Sequence, residues 1–252
     1  LRNGTEIASA EDAKEAYLVF SGEYQEGDSI QLIPGRKGFI TLQLDAVLGR
    51  ATLLSDGNPF IMPIPFGQRH DCYHEAVYRG TKHFLWAREA YEWEHDGYRN
   101  IALNPYDAHK NCSLFPHAKA NIETRGESVF AARNAIDGIV ASNGHGEWPW
   151  SSWGINRDPE AELSLDFGRE VIIDRIIFYT RADFPHDAWW TEGTLTFSDG
   201  SLLKVTLKKD GPQEISFPAK RVSSLKLSKL IKAEDPSPFP ALIQLEVYGM
   251  DA

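Results

Sequence analysis

The chain has 252 residues and a formal charge of −10, from 26 Lys and Arg against 36 Asp and Glu. It is 42% apolar and 25% charged, the composition of a folded globular protein, and its length suits two domains of ~100–150 residues. The acidic balance argues against a nucleic-acid partner, which calls for a basic face, and no run approaches the ~20 apolar residues of a membrane-spanning helix.

In the first hundred residues, short alternating apolar runs dominate: "AYLVFSG", "DSIQLIP", "GFITLQLD", "ATLLSDG", "FIMPIPF", "EAVYRG" and "KHFLWAREA". Alternation of this length, broken by Gly, Pro, Asp and Asn, is the strand signal and predicts a sandwich or jelly roll. Residues 104–121 have little periodicity and read as a linker. "GESVFAARNAIDG" then predicts a short helix over 128–136, because its alanines are good formers and Gly138 can cap it. Strands resume with "AELSLDFG", "VIIDRIIFYT", "GTLTFS", "LLKVTLK", "EISFPA", "SSLKLSKL" and "LIQLEVYG". Asp199-Gly200 predicts a two-residue type I′ hairpin turn. The Lys- and Arg-rich run from Lys204 to Lys232 reads as a solvated strand face. The expectation is an all-β chain of two β-sandwich domains, 1–107 and 118–252.

Two cysteines, Cys72 and Cys112, are too few for a disulfide framework, and a single bridge stays open. Within "HDCYH", His70, Cys72 and His74 are metal-competent, with His83 nearby. On a straight strand His70 and His74 lie ~13 Å apart, beyond the span of ~2.0–2.3 Å metal bonds, so the stretch reads as a polar loop with a buried Cys. The first residues lack a signal-type apolar core, while a chain beginning at Leu leaves a removed leader open. An extracellular and a cytoplasmic location both fit.

From "FAARNAIDG" through "AELSLDFGREVIIDRIIFY" to the closing "LIQLEVYG", residues 118–250 resemble the galactose-binding-like family of discoidin domains, coagulation-factor C-type domains and carbohydrate-binding modules. The resemblance implies a jelly roll with ligand loops at one end. It also implies a structural calcium, held at the matching positions Asp137 and Glu246 with backbone carbonyls completing a shell of six to eight oxygens. The chain departs from the family in "IVASNGHGEWPWSSWGINRDPE", where relatives carry a short loop.

That loop holds Trp148, Trp150 and Trp153. A second, "TRADFPHDAWW", holds Arg181, Asp183, His186, Asp187, Trp189 and Trp190, and a third, "EDPSPFPA", holds Phe239. An indole covers the C–H face of a sugar ring, while Arg, Asp and His match its hydroxyls. Trp148, Trp150, Arg181, Asp183, His186, Asp187, Trp189, Trp190 and Phe239 are therefore the expected ligand residues, on rim loops 143–158, 181–190 and 234–240. Trp153 and one of the adjacent pair Trp189 and Trp190 are expected in the core, since neighbours on an extended chain face opposite ways. Non-catalytic carbohydrate binding is the expected function. The alternatives are a carbohydrate-active enzyme, with His186 as base on the same loops or in an interdomain cleft, and a protein-interaction module using the exposed aromatics.

Overall fold

A computed structural model describes residues 1–12, 14–109, 112–182, 186–209 and 211–252. The chain is all-β, as its alternation predicts. The first half contributes β1 (Glu15–Ser21), β2 (Ser29–Leu32), β3 (Gly38–Gln43), β4 (Ala51–Ser55), β5 (Phe60–Pro63) and β6 (Lys82–Glu89). After a short helix α1 (Glu92–His95) come β7 (Arg99–Asn100), β8 (Leu114–Phe115) and β9 (His117–Ala120). The second half adds β10 (Trp153–Gly154), β11 (Leu163–Arg181), β12 (Trp190–Phe197), β13 (Leu202–Thr206), β14 (Pro212–Lys232) and β15 (Ala241–Asp251).

In the first half, the sheet β1-β6-β3-β4-β8 faces the two-stranded sheet β2-β5. Their inward residues, among them Ile30, Leu42, Leu53, Phe60, Met62 and Leu85, form one apolar core. The predicted strand "EAVYRG" is instead a run of turns, with Tyr78 at φ 55°. Val77 and Tyr78 are buried, so the apolar pair that suggested a strand plugs the core from a loop. The Tyr78 amide donates to Asp45 Oδ2 at 2.8 Å, which supplies the partner a strand would have given.

In the second half, the predicted pairs of strands fuse. β11 runs through both "AELSLDFG" and "VIIDRIIFYT", and β14 through both "EISFPA" and "SSLKLSKL". Each is bent. Residues 163–166 of β11 pair with β9 and with 224–227 of β14, whereas 171–181 pair with β15 and with 212–222 of β14. The register breaks between Asp166 and Val171. Gly168 sits there at φ 68°, and a Cβ on it would lie 2.5 Å from the Phe115 ring, so only glycine fits both the turn and the contact. The sheet β10-β15-β11-β14-β12-β13 thus doubles over, and Leu163, Leu165, Ile173, Ile176, Phe178, Leu195, Leu225 and Val247 share one core.

Two local expectations change. The helix over 128–136 is a pair of 3₁₀ turns, Ser128–Phe130 and Ala132–Ile136, parted by Ala131 in an extended conformation (φ −73°, ψ 152°). The hairpin at Asp199-Gly200 is not type I′, because only Gly200 has positive φ. Its amide donates to Phe197 O at 2.9 Å and Phe197 N donates to Ser201 O at 3.0 Å, a three-residue connection with glycine at the left-handed position.

The stretch read as a linker is threaded through both cores. Ile101 and Ala102 belong to the second core, Tyr106, Ala108 and Leu114 to the first, and Ala118 to the second again. Buried Asn104 joins them: its Nδ2 donates to Pro116 O and its amide to Ile136 O, both at 2.8 Å. Cys72 and Cys112 are both free thiols, one buried and one exposed.

Trp153 is fully buried against Trp190, with its Nε1 donating to Ile122 O at 3.0 Å. Trp153→Ala should cost ~3–5 kcal/mol through the cavity it leaves, measured as a shift of the urea midpoint at constant slope.

Candidate functional site

Register brings the rim loops to one end of the doubled sheet. Arg181, the last residue of β11, pairs with Ala241, the first of β15. Trp153 pairs with Leu242 and Trp190 with Lys232. The loops before β10, between β11 and β12 and between β14 and β15 therefore leave the same edge. They also bond to one another, through Ala188 N to Phe239 O at 3.2 Å and Ala233 N to Trp189 O at 2.9 Å.

Arg181 lies beneath them at 1% exposure. Its Nε donates to Asp187 Oδ2 at 2.9 Å, its Nη1 to Trp150 O and Ser152 Oγ, and its Nη2 to His145 Nδ1 at 2.9 Å. A guanidinium only donates, so His145 Nδ1 is an unprotonated acceptor. Desolvation, followed by the nearby His186 and Arg181, pulls the His145 pKa below its usual value, consistent with a neutral ring. Asp187, also buried, accepts from His186 Nδ1 at 3.0 Å on its other oxygen.

Above this pair the rings stack. His145 and His186 lie 4.0 Å apart at 17°, and His186 and Phe239 5.2 Å apart at 11°. Arg157 sits 5.7 Å over Phe239. Stacked rings hide most of their faces and present edges, so the histidines offer nitrogens rather than a platform. The open indole is Trp148, 41% exposed, which meets the His74 ring edge-on at 4.7 Å. Trp150 is half-buried, edge-on to Phe130 and to His145, against the small cluster of Cys72, Val129 and Phe130.

The expected ligand residues thus separate. His186 and Phe239 stack at the surface, and Trp148 is exposed on the loop that carries His145. Trp150, Arg181 and Asp187 lie just beneath, where they can position but not touch a ligand. Trp190 is a core residue at 0% exposure and is corrected to packing. Trp189 lies apart, with Lys209 Nζ 5.1 Å over its ring. Asp183 lies outside the described residues. Sequence reasoning missed His145 and Arg157. His145 stood inside the quoted tryptophan loop, but no local pattern ties it to Arg181, 36 positions later.

The metal-competent histidines have other partners. His70 Nε2 bonds Val77 O at 2.9 Å, and His74 Nδ1 accepts from Ala76 N at 3.1 Å. Among the described residues no group of three or more His, Cys, Asp or Glu is placed to hold a metal. For calcium, the two expected ligands part company. Asp137 Oδ1 accepts from Ile139 N at 2.9 Å, and burial pushes its carboxyl up to about 7 against the pull of Arg133. The β15 side chain bonded to this loop is Gln244, whose Oε1 accepts from Gly138 N at 3.2 Å. Glu246 Oε2 instead accepts from Tyr248 at 3.2 Å and Tyr179 at 3.5 Å. Asp137 and Glu246 thus have separate hydrogen-bond partners.

A family described as "Domain of unknown function (DUF7402)" matches residues 114–234. No curated protein matches the sequence. Among solved structures, the chain is similar to a chitosan-binding module from a chitosanase/glucanase of Paenibacillus sp. IK-5, at 19% identity and a TM-score of 0.44, aligning 61% of this chain with 100% of that one. It is similar to a fucose-binding module of Streptococcus pneumoniae at 15% identity, TM-score 0.44, over 60% and 97% of the two chains. The lectin domain of Lectinolysin complexed with Lewis B antigen aligns at 19% identity, TM-score 0.44, over 61% and 98%.

Arg181→Ala should destabilise the chain by ~3–5 kcal/mol, because it leaves the Asp187 carboxylate buried without its cation. Arg181→Ala/Asp187→Ala should recover part of that loss in a double-mutant cycle read by urea melts.

Proposed function

We propose that this chain binds carbohydrate at the rim without turning it over. The reading rests on one arrangement: an open Trp148 indole shares the rim with the edges of the His145–His186–Phe239 stack, and the stack is braced from below by the Arg181–Asp187 pair. Trp148 would take the apolar face of a pyranose ring. The imidazole edges and the Arg157 guanidinium would take its hydroxyls. Bracing supports affinity, since side chains already fixed lose less entropy on binding.

The enzymatic reading has one specific observation in its favour. His186 Nδ1 is oriented by a buried carboxylate at 3.0 Å, as a general base is. Against it stands Arg181, whose donors are spent on Asp187, Trp150, Ser152 and His145, so it is no clamp for a developing negative charge.

On a glycan array the purified chain should retain one class of sugar. Trp148→Ala should weaken that binding tenfold or more with an unchanged melting temperature. His186→Ala should weaken it by a hydrogen bond's worth, ~1–3 kcal/mol, while incubation with the retained glycan yields no new reducing end, unsaturated product or isomer. Turnover that His186→Ala abolishes while binding persists would make the protein an enzyme.

We propose further that a calcium ion sits at Asp137, with Gln244 Oε1 rather than Glu246 as the ligand from β15. Chelation should lower the melting temperature, because an ion that binds only the folded state stabilises it by mass action. Asp137→Ala should remove that effect and Glu246→Gln should preserve it; no shift on chelation rejects the ion.

A further inference from the structure

The most exposed tryptophan lies nowhere near the rim. Trp93, in α1, is 74% exposed, and its ring stacks on Tyr91 at 4.5 Å and 15°. Arg88 covers the other side of Tyr91, its guanidinium carbon 4.0 Å from the ring centre. Among the described residues no further ring or cation lies on Trp93, so its outer face is open.

This stack is held rigid. Glu94 accepts from Arg88 Nη1 and Nη2 at 2.6 Å each, from Tyr91 N at 2.7 Å and from Thr41 Oγ1 at 3.0 Å. One carboxylate thus fixes the cation under Tyr91, caps the helix that presents Trp93 and anchors both to β3. Leaving a large apolar ring in water forgoes the ~1.5–3 kcal/mol that burial of such a side chain gives. A flexible surface tryptophan would need no such network; an immobilised one with an open face is a preformed platform.

The surroundings select the occupant. Glu92 and Asp96, in and just after the helix that presents the indole, are exposed, which disfavours an anionic membrane surface and offers acceptors to hydroxyl groups. The flat apolar area is one ring wide, the footprint of a single pyranose rather than of a protein interface. We propose that Trp93 is a second sugar-binding platform, at the opposite end of the molecule from the rim. This rests on the carbohydrate-binding reading of the rim. β15 starts at Ala241 beside Phe239 and ends at Asp251, which His95 of α1 approaches at 3.8 Å. Eleven residues of strand put the two sites roughly 34 Å apart at ~3.4 Å per residue. A trisaccharide cannot reach both, so the pair engages a long polysaccharide or two separate chains and gains by avidity.

The test uses the whole chain with polymer and trimer of the same sugar, run for chitosan, cellulose and β-1,4-galactan. Calorimetry should give two trimers per chain in the wild type and one in Trp93→Ala, Trp93→Leu and Trp148→Ala alike. Retention on the polymer should fall at least tenfold in each variant. Trp93→Leu keeps an apolar side chain without the flat face, and all three variants should keep the wild-type melting temperature. One trimer per chain, lost in Trp148→Ala and kept in Trp93→Ala, overturns the second platform and leaves the rim standing. One trimer lost only in Trp93→Ala overturns the rim reading instead, and no retention on any polymer overturns both. A dimer in sedimentation that Trp93→Ala abolishes would assign the ring to a second copy of the chain and overturn the inference.

Discussion

A single buried cation organises the rim. Arg181 ends the long strand β11, where the register shift between Tyr179 and Thr180 breaks the alternation and turns its side chain inward, and an inward guanidinium must be neutralised and hydrogen-bonded or the fold loses several kcal/mol. Asp187 neutralises it from the loop that follows, and Trp150, Ser152 and His145 accept its remaining protons from the loop that precedes β10. Because a guanidinium presents its donors in a fixed fork, two loops far apart in sequence are held to one geometry. The third joins through Ser237 Oγ, which donates to His186 O. The ring stack stands on this arrangement: His145 accepts a hydrogen bond from Arg181, His186 donates one to Asp187, and the two rings meet face to face.

The same constraint explains three tryptophans in one loop. They occupy three depths. Trp153 is already in β10 and plugs the core, Trp150 lies over Phe130 where its carbonyl can reach Arg181, and Trp148 is left in water. Pro149 and the flanking glycines that make the stretch look like a surface loop describe its backbone correctly and its side chains only in part. A loop bonded to a buried charge turns some of its rings inward whatever its composition.

Strands were legible because one face of each is buried, which writes a period of two into the sequence. Their ends were less so. β11 and β14 each read as two strands, because the corner between the sheet's halves carries turn residues such as Gly168 that also mark a true break. "EAVYRG" misled in the opposite sense, since an apolar pair can enter a core from a turn. At the rim, composition pointed to loops that the fold brings to one edge, but it could not assign depth. Adjacent Trp189 and Trp190 had to diverge, and Trp190 went to the core. Arg181 and Asp187 read as ligand residues on a rim loop; only the chain fold shows that they are buried and neutralise each other. Gln244 and Glu246 lie on one face of β15, so a two-residue ambiguity along the strand decided which of them meets the Asp137 loop.

β15 links these features mechanically. Its first residues pair with β10 and with the end of β11, which fixes the rim, and its middle packs into the second core. Its last acidic residue, Asp251, gathers basic side chains from both halves of the chain: Arg169 at 2.7 Å from the β11 corner, Arg99 at 3.2 Å from β7, and His95 at 3.8 Å from α1. β7 adds a backbone ladder to the same strand, Asn100 opposite Tyr248 and Arg99 opposite Gly249. Such partly exposed ion pairs contribute little stability singly, but here they add to backbone pairing and to Ile101 buried in the second core. The first half of the chain is therefore joined to the second through the strand that also carries the rim. An element braced along its whole length transmits position without transmitting motion. Its two ends are held at a fixed separation, so the rim loops and α1 stand at opposite ends of one strand.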